Sequence, residues 1–223
     1  NPPARWWSSG GYMRPWLAAA VSLALALDAW TKGPGNLSEM LWACHWATLL
    51  IGLGLLAGSR SAVSAGLLFH LTLGIPAWLL GLLLTRELYP TSVLVHSLPP
   101  AVALLYLRDL ADLPPYLALR AWVLHPAALA VSARFALPEL NVNMAHQAWP
   151  PLAHLFPGLA SFHVAAVSLS LMMLLLMERA LKRWLAERAV ERTHEAGRRE
   201  VLAAWPPPHT HEHTSATRPR RVA

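Results

Sequence analysis

Cys44 and His45 are adjacent in this 223-residue sequence, and a thiol beside an imidazole is a candidate pair of reactive side chains. Cys44 is the only cysteine in the sequence, and Thr48 follows it by about one helical turn. All three residues lie in the apolar stretch SEMLWACHWATLLIGLGLLA, which is long enough to cross a bilayer at about 20 residues of 1.5 Å rise. An ionisable side chain in such a helix is costly, so it usually faces the protein interior or a wet cavity and marks a functional site.

Histidines recur throughout the apolar segments. Inside lipid each polar group needs a partner within the protein, so several imidazoles in one bundle of helices require an explanation. From the residues alone, several interpretations remain open. The histidines within or beside these segments are His45, His70, His96, His125 and His163.

The first interpretation is acyl transfer with Cys44 as the nucleophile. This chemistry needs a thiolate, a general base and donors for the developing oxyanion. On a helix the His45 side chain points about 100° away from Cys44. His96, on another helix at a matching depth, is therefore the preferred base, and Asn141, Asn143 and His146 are candidate donors or orienting groups.

The other interpretations need no nucleophile. Histidines of facing helices, such as His45 and His96, could hold a haem or a metal, although no paired ligand repeat is visible. Histidines and asparagines could instead form a structural hydrogen-bond network. The protein could also carry a proton or a small solute, but the sequence shows no internal repeat of the kind common in transporters.

The overall composition is that of a membrane protein. The sequence is 55% hydrophobic and 13% charged, whereas soluble domains average about 25% charged residues. A single cysteine excludes a disulfide within the chain. Ten of the 18 lysines and arginines follow residue 178, so the net charge of +6 predicts contact with membrane lipids and no nucleic-acid partner.

Six apolar segments predict an all-α, polytopic bundle of six transmembrane helices. Short links make consecutive helices antiparallel neighbours. Prolines inside three of the helices favour a bundle opened around a cavity, or else reflect ordinary proline usage in membrane helices. The first segment could alternatively be the core of a signal peptide. The segments run Pro15–Trp30, Ser38–Ala57, Ala62–Leu84, Thr91–Leu107, Pro115–Val131 and Ser161–Met177.

A long loop and a charged extension flank the last segment. The loop Arg134–Leu159 is rich in proline but also in large apolar residues, so we expect it to be ordered against one end of the bundle. Beyond Met177, apolar residues at helical spacing and a favourable Glu178–Lys182 pair predict that the sixth helix continues into water as an amphipathic cytoplasmic helix. The predicted divisions are a transmembrane domain (1–178), this helix (179–205) and a disordered basic, histidine-rich tail (206–223).

The positive charges also predict the orientation. Lysines and arginines concentrate on the side of the tail, which places both termini in the cytoplasm. Cys44, His96 and the loop 134–159 then converge at the non-cytoplasmic end of the bundle.

Three segments resemble one known family. LNVNMAHQAWPPLAHLFP (Leu140–Pro157), LWACHWATLL (Leu41–Leu50) and LVHSLPPAVALLYL (Leu94–Leu107) are similar to segments of the YwaF-type integral membrane proteins. That family includes an animal acyltransferase that remodels ether phospholipids. The resemblance implies a bundle of six or seven helices with a cysteine acyl carrier at Cys44 and a histidine base at His96.

The resemblance also implies a loop signature formed by Asn141, Asn143 and Trp149–Pro150. The present sequence departs from the family pattern at four positions. Met144 replaces a tyrosine, Ala148 a glycine and Ala43 a proline, and Ser97 stands where a second histidine sometimes occurs.

Together these observations predict a lipid acyltransferase or lipid hydrolase in a bacterial plasma membrane. The alternative is a non-enzymatic membrane protein, either a small-solute carrier or a partner subunit. No metal or cofactor is predicted. The predicted catalytic residues are Cys44 and His96, and the predicted substrate-binding residues are His45, Asn141, Asn143, His146 and Trp149.

Overall fold

The computed structural model describes residues 13–86, 88–107 and 113–204, and every regular element within these residues is helical. The predicted tail, 206–223, lies outside the described residues. Short 3₁₀ segments occur at Pro34–Leu41, Pro138–Leu140 and Val142–Met144. The α-helices are α1 (Met13–Lys32), α2 (Ala43–Leu56), α3 (Arg60–Phe69), α4 (Ile75–Thr85), α5 (Pro90–Leu107), α6 (Leu117–Trp122), α7 (Leu124–Phe135), α8 (Pro150–Ala153) and α9 (Leu159–Ala204).

Three stretches of helix in the described part of the chain are long and apolar enough to cross a membrane. They are Arg60–Leu84, which joins α3 to α4, then α5, and Leu159–Arg198 within α9. A fourth results if the 3₁₀ segment Pro34–Leu41 and α2, bent by 77° relative to each other, form one broken span. The all-helical prediction is therefore confirmed over the described residues, with three or four candidate spans.

Large apolar side chains cover much of the outer surface of these helices. Trp16, Leu83 and Val164 are 77%, 77% and 68% exposed. Extensive exposed apolar surface is unusual for a soluble monomer and is expected where helices face lipid. The surface is thus consistent with a membrane protein.

Helices α2 and α3 form the centre of the bundle and pack closely against each other. On one side they contact α1 and α5, and on the other α6, α7 and α9. Glycines permit this close approach: a Cβ at Gly66 would lie 2.8 Å from the carbonyl oxygen of Ala47, and one at Gly54 would lie 2.9 Å from Val63. Small residues let membrane helices pack at such short separations.

Prolines break the regular helices at two places. Proline cannot donate a backbone hydrogen bond, and its ring crowds the carbonyl four residues earlier. Immediately before Pro76 the helix widens into a π-turn, His70–Gly74. Before Pro126 the predicted fifth span divides at Val123 into α6 and α7.

The predicted continuation of the last apolar helix beyond Met177 is confirmed. Helix α9 runs without a break to Ala204. The predicted pair is confirmed, with Lys182 Nζ 2.6 Å from the Glu178 carboxylate. The same carboxylate accepts a hydrogen bond from the Ala118 N–H at 2.7 Å, which ties α9 to the start of α6.

Candidate functional site

A cavity of about 510 Å³ lies between the start of α2, the π-turn with α4, and α5. Four of the predicted site residues line it: Cys44, His45, His96 and Asn143. Cavities of roughly 300–1,000 Å³ are typical of small-molecule sites. The wall is mostly apolar and includes Phe69, Leu73, Ala77, Trp78, Leu82 and Met144.

Cys44 lies in the first turn of α2, immediately after a break in the chain. The predicted continuous helix Ser38–Ala57 is interrupted at Trp42, whose ψ of 136° is not helical. The first N–H groups of a helix have no partner within the helix. The N–H of Cys44 makes no hydrogen bond to another described residue, so it is available as a donor beside the thiol.

Asn143 holds this break open with its side-chain amide. Its Oδ1 accepts a hydrogen bond from the N–H of Ala43 at 3.0 Å, and its Nδ2 donates to the carbonyl of Leu41 at 2.8 Å. Nδ2 also lies 2.8 Å from Ser132 Oγ on α7. Asn143 thus joins the loop, α7 and both sides of the break, and fixes the start of the helix that carries Cys44.

The other predicted loop residues lie outside the lining of the cavity. Asn141 organises its own loop: its Oδ1 accepts hydrogen bonds from the N–H groups of His146 and Gln147, both at 3.0 Å. Trp149 directly precedes the short helix α8. Asn141, with φ of 42°, and Asn143, with φ of 54°, are both left-handed, a conformation that asparagine tolerates better than most residues.

His96 is 6% exposed and presents one ring nitrogen for chemistry. Its Nδ1–H donates to the carbonyl of Ser92 at 2.8 Å, which leaves Nε2 as the acceptor. The ring stacks on Trp78 with centroids 4.9 Å apart. This contact holds the imidazole in the cavity wall, and no described residue hydrogen-bonds to its Nε2.

His45 is bound to a carboxylate that is not among the predicted site residues. Its Nε2 is 2.9 Å from Oδ2 of Asp28 on α1, and both side chains are buried. Lys32 Nζ lies 3.7 Å from Oδ2 of Asp28 and 2.6 Å from Oε2 of Glu39. The sequence did contain a signal for this contact. Asp28 lies inside the first apolar segment, and a buried carboxylate in a membrane helix requires a partner.

His70 is the other residue missing from the predicted site. It is fully buried, its Nε2 is 2.9 Å from Thr48 Oγ1, and its ring meets that of His96 edge-on at 6.2 Å. The two remaining histidines of the apolar segments bind across elements: His125 pairs with Ser170 and His163 with the carbonyl of Met144. Of the five histidines, His45, His96 and His125 line the cavity that contains Cys44.

A thiol, several imidazoles and a free helix N–H in a mostly apolar cavity can support nucleophilic attack on a carbonyl carbon. Among the described residues no group of three or more His, Cys, Asp or Glu side chains is arranged to hold a metal ion. No protein-family profile, curated protein or solved structure matches the chain.

Proposed function

We propose that this protein is an integral membrane lipid acyltransferase or lipid hydrolase that uses Cys44 as its nucleophile. The observation that carries the proposal is the cavity itself. It gathers the only cysteine of the sequence, His96 from a distant helix and Asn143 from the long loop. Its mostly apolar wall suits the acyl chain of a lipid better than a polar metabolite.

The proposed reaction passes through a thioester. The Cys44 sulfur attacks an ester carbonyl carbon, the S–C bond forms, and the ester C–O bond breaks. An imidazole of the wall, His96 in the sequence-based assignment, takes the proton of the attacking group and returns it to the leaving oxygen. Water or a lipid hydroxyl then attacks the thioester and releases the sulfur.

The N–H of Cys44 supports this chemistry. A donor on the backbone of the nucleophile itself lies close to the carbonyl oxygen during attack, as in serine proteases. Asn143 keeps that donor available because it binds the preceding N–H, on Ala43. The proposed role of Asn143 is to position the nucleophile and to border the head-group side of the cavity, whereas Asn141 acts only through the loop that it organises.

The proposal includes six transmembrane segments with both termini in the cytoplasm. On this topology the cavity opens toward the non-cytoplasmic side, and the basic part of α9 lies against anionic cytoplasmic lipid. We also propose a relationship to the YwaF-type membrane proteins. The support for it is the segments around Cys44, His96 and Asn143, which meet at one cavity.

Mass spectrometry of the purified full chain after incubation with a membrane lipid extract tests the function. The expected product is an acyl chain on Cys44 that hydroxylamine removes, as it removes thioesters. His96→Gln should abolish the adduct, and His125→Gln is the matched control because His125 also lines the cavity but pairs with Ser170. An unmodified thiol across all lipid classes would reject the proposed chemistry.

A second function is favoured by one observation, the buried pair of Asp28 and His45 with the half-buried Lys32 beside it. Paired charges inside a membrane protein often mark a proton or ion path. In that case the protein would be a carrier with a structural histidine network. Proton uptake by reconstituted vesicles that is lost in Asp28→Asn but kept in Cys44→Ala would favour this function over acyl transfer.

A further inference from the structure

His70 reaches Cys44 through a chain of two hydrogen bonds. The hydroxyl of Thr48 donates to the backbone carbonyl of Cys44 at 3.0 Å. The same oxygen lies 2.9 Å from His70 Nε2. Because the single hydroxyl proton is used on the carbonyl, Thr48 can only accept from His70, so the ring carries its proton on Nε2.

The second nitrogen of this ring is left without a partner. His70 Nδ1 is buried and makes no hydrogen bond with any described residue. As an acceptor it carries a lone pair, and a buried lone pair without a partner costs free energy that a nearby donor would recover. The alternative tautomer would bury an unpaired N–H in the same place, which is the rarer arrangement in proteins.

Nδ1 and the cysteine both lie close to Gly74. A Cβ built on Gly74 would be 3.1 Å from His70 Nδ1 and 3.6 Å from Cys44 Cβ. The absence of a side chain at Gly74 therefore leaves a gap that both groups border. Rotation about the Cα–Cβ bond of Cys44 moves the sulfur relative to this gap.

The backbone at this point is also irregular. His70 begins the π-turn that ends at Gly74, and such turns are frequent at functional sites. The turn is followed by Pro76, which removes one backbone hydrogen bond. The π-turn places His70 and Gly74 together on the side of the helix that faces the start of α2.

We propose that His70 Nδ1 accepts the proton of the Cys44 thiol. The S–H bond breaks, the Nδ1–H bond forms, and the electron pair stays on sulfur, which gives a thiolate beside an imidazolium. This inference refines the proposed acyl transfer, because it assigns the thiol proton to His70 and leaves His96 Nε2 to exchange protons with the oxygen substrate. The proton transfer itself requires no acyl substrate.

Other titratable groups surround the pair. His45, with Asp28 and Lys32, faces Cys44 from α1 and α2. His96 faces it from α5, and His125 lines the same cavity from α7. A test must therefore separate His70 from its neighbours, and the chain permits this because Cys44 is its only cysteine.

The experiment is alkylation of the full chain with N-ethylmaleimide, followed by mass spectrometry. The thiolate is the reacting species. The ratio of the alkylation rate at neutral pH to that at high pH therefore reports the fraction of Cys44 present as thiolate. Access of the reagent to the cavity affects both rates equally and cancels in the ratio. His70→Gln keeps a donor toward Thr48 but has no basic nitrogen, and we expect this ratio to fall about tenfold or more, as for a thiol that loses its base.

His163→Gln is the control and should leave the ratio unchanged, because His163 binds the carbonyl of Met144 and is not among the residues that line the cavity. Gly74→Ala is the second variant, needed if His70→Gln does not fold. Its methyl group would occupy the gap between Nδ1 and Cys44, and we expect the same fall while His70 is intact. Ratios like that of the unmodified protein in both variants would overturn the assignment to His70.

The outcome is distinguishable from that of the proposed function. If His70→Gln lowers the alkylation ratio but no lipid acylates Cys44, the Cys44–His70 pair stands and the acyltransferase proposal fails. If Cys44 is acylated and neither His70→Gln nor Gly74→Ala changes the alkylation ratio, the acyltransferase proposal stands and the Cys44–His70 pair fails. His96 is then the base for both the thiol proton and the proton of the oxygen substrate.

Discussion

Replacing Asn143 with glycine should destabilise the protein through the break before α2. The substitution removes three hydrogen bonds of 3.0 Å or shorter, to Ala43, Leu41 and Ser132. Each contributes about 1 kcal/mol net, which gives a loss of about 3 kcal/mol. Glycine is chosen because it tolerates the left-handed φ of 54° at this position, so the loss reports the amide and not backbone strain.

The assay is thermal unfolding of the full chain in a fixed detergent. For a chain of this size 1 kcal/mol shifts Tm by about 2–4 °C, so Asn143→Gly should lower Tm by roughly 6–12 °C. Asn143→Ala should lower it further, because a Cβ in the left-handed region costs about 1–2 kcal/mol more. The control is Asn36→Ala, which removes one exposed bond of 3.4 Å and should change Tm little.

One result would refute this reasoning. If Asn143→Gly unfolds within about 2 °C of the original protein, a shift worth less than 1 kcal/mol, then the amide does not hold the break. The start of α2 would have to be fixed by packing alone, and the proposed positioning role of Asn143 would be wrong.

Further predictions concern the buried Asp28–His45 hydrogen bond, the helix contact and the cysteine. Asp28→Ala should lower the free energy of unfolding by about 1–3 kcal/mol, since it leaves a ring nitrogen of His45 buried without its hydrogen-bond partner; Glu39→Ala, at the partly exposed end of the same group, should cost under about 1 kcal/mol, and equal effects would contradict this. Gly66→Val should prevent close packing of α2 on α3 and give little folded protein in size-exclusion chromatography, whereas Gly197→Ala, where an added Cβ meets nothing within 4 Å, should elute unchanged. Cys44→Ala should keep the original Tm but form no acyl adduct, and a large fall in Tm would mean that the cysteine is structural.

The sequence predicted the helical class and the position of most elements because both follow from local pattern. Apolar runs located α3–α4 and α5, and the i,i+4 charges located the Glu178–Lys182 pair. Residue spacing also placed Cys44 and His96 at one end of the bundle. The presence of both in one cavity wall agrees with that placement.

The breaks in the regular helices could not be predicted from the sequence, because the residues that cause them are distant in the chain. Nothing near Trp42 in the chain indicates a break there. The break persists because Asn143, a hundred residues later, satisfies the backbone groups on both sides. A proline, Pro76, is likewise the only sign of the π-turn in the sequence. The position of the His70 ring depends on packing against α2.

Local sequence pattern is therefore enough to predict an apolar, helical protein with one cysteine and several imidazoles in its apolar segments. Tertiary structure decided which imidazole serves which partner. His45 is bound by Asp28, His70 by Thr48, His96 by the carbonyl of Ser92, His125 by Ser170 and His163 by the carbonyl of Met144. Of these rings, His45 and His70 each keep a buried nitrogen without a partner among the described residues. The reason is physical: a buried polar atom takes the partner that packing brings within about 3 Å, and that distance is set across helices and not along the chain.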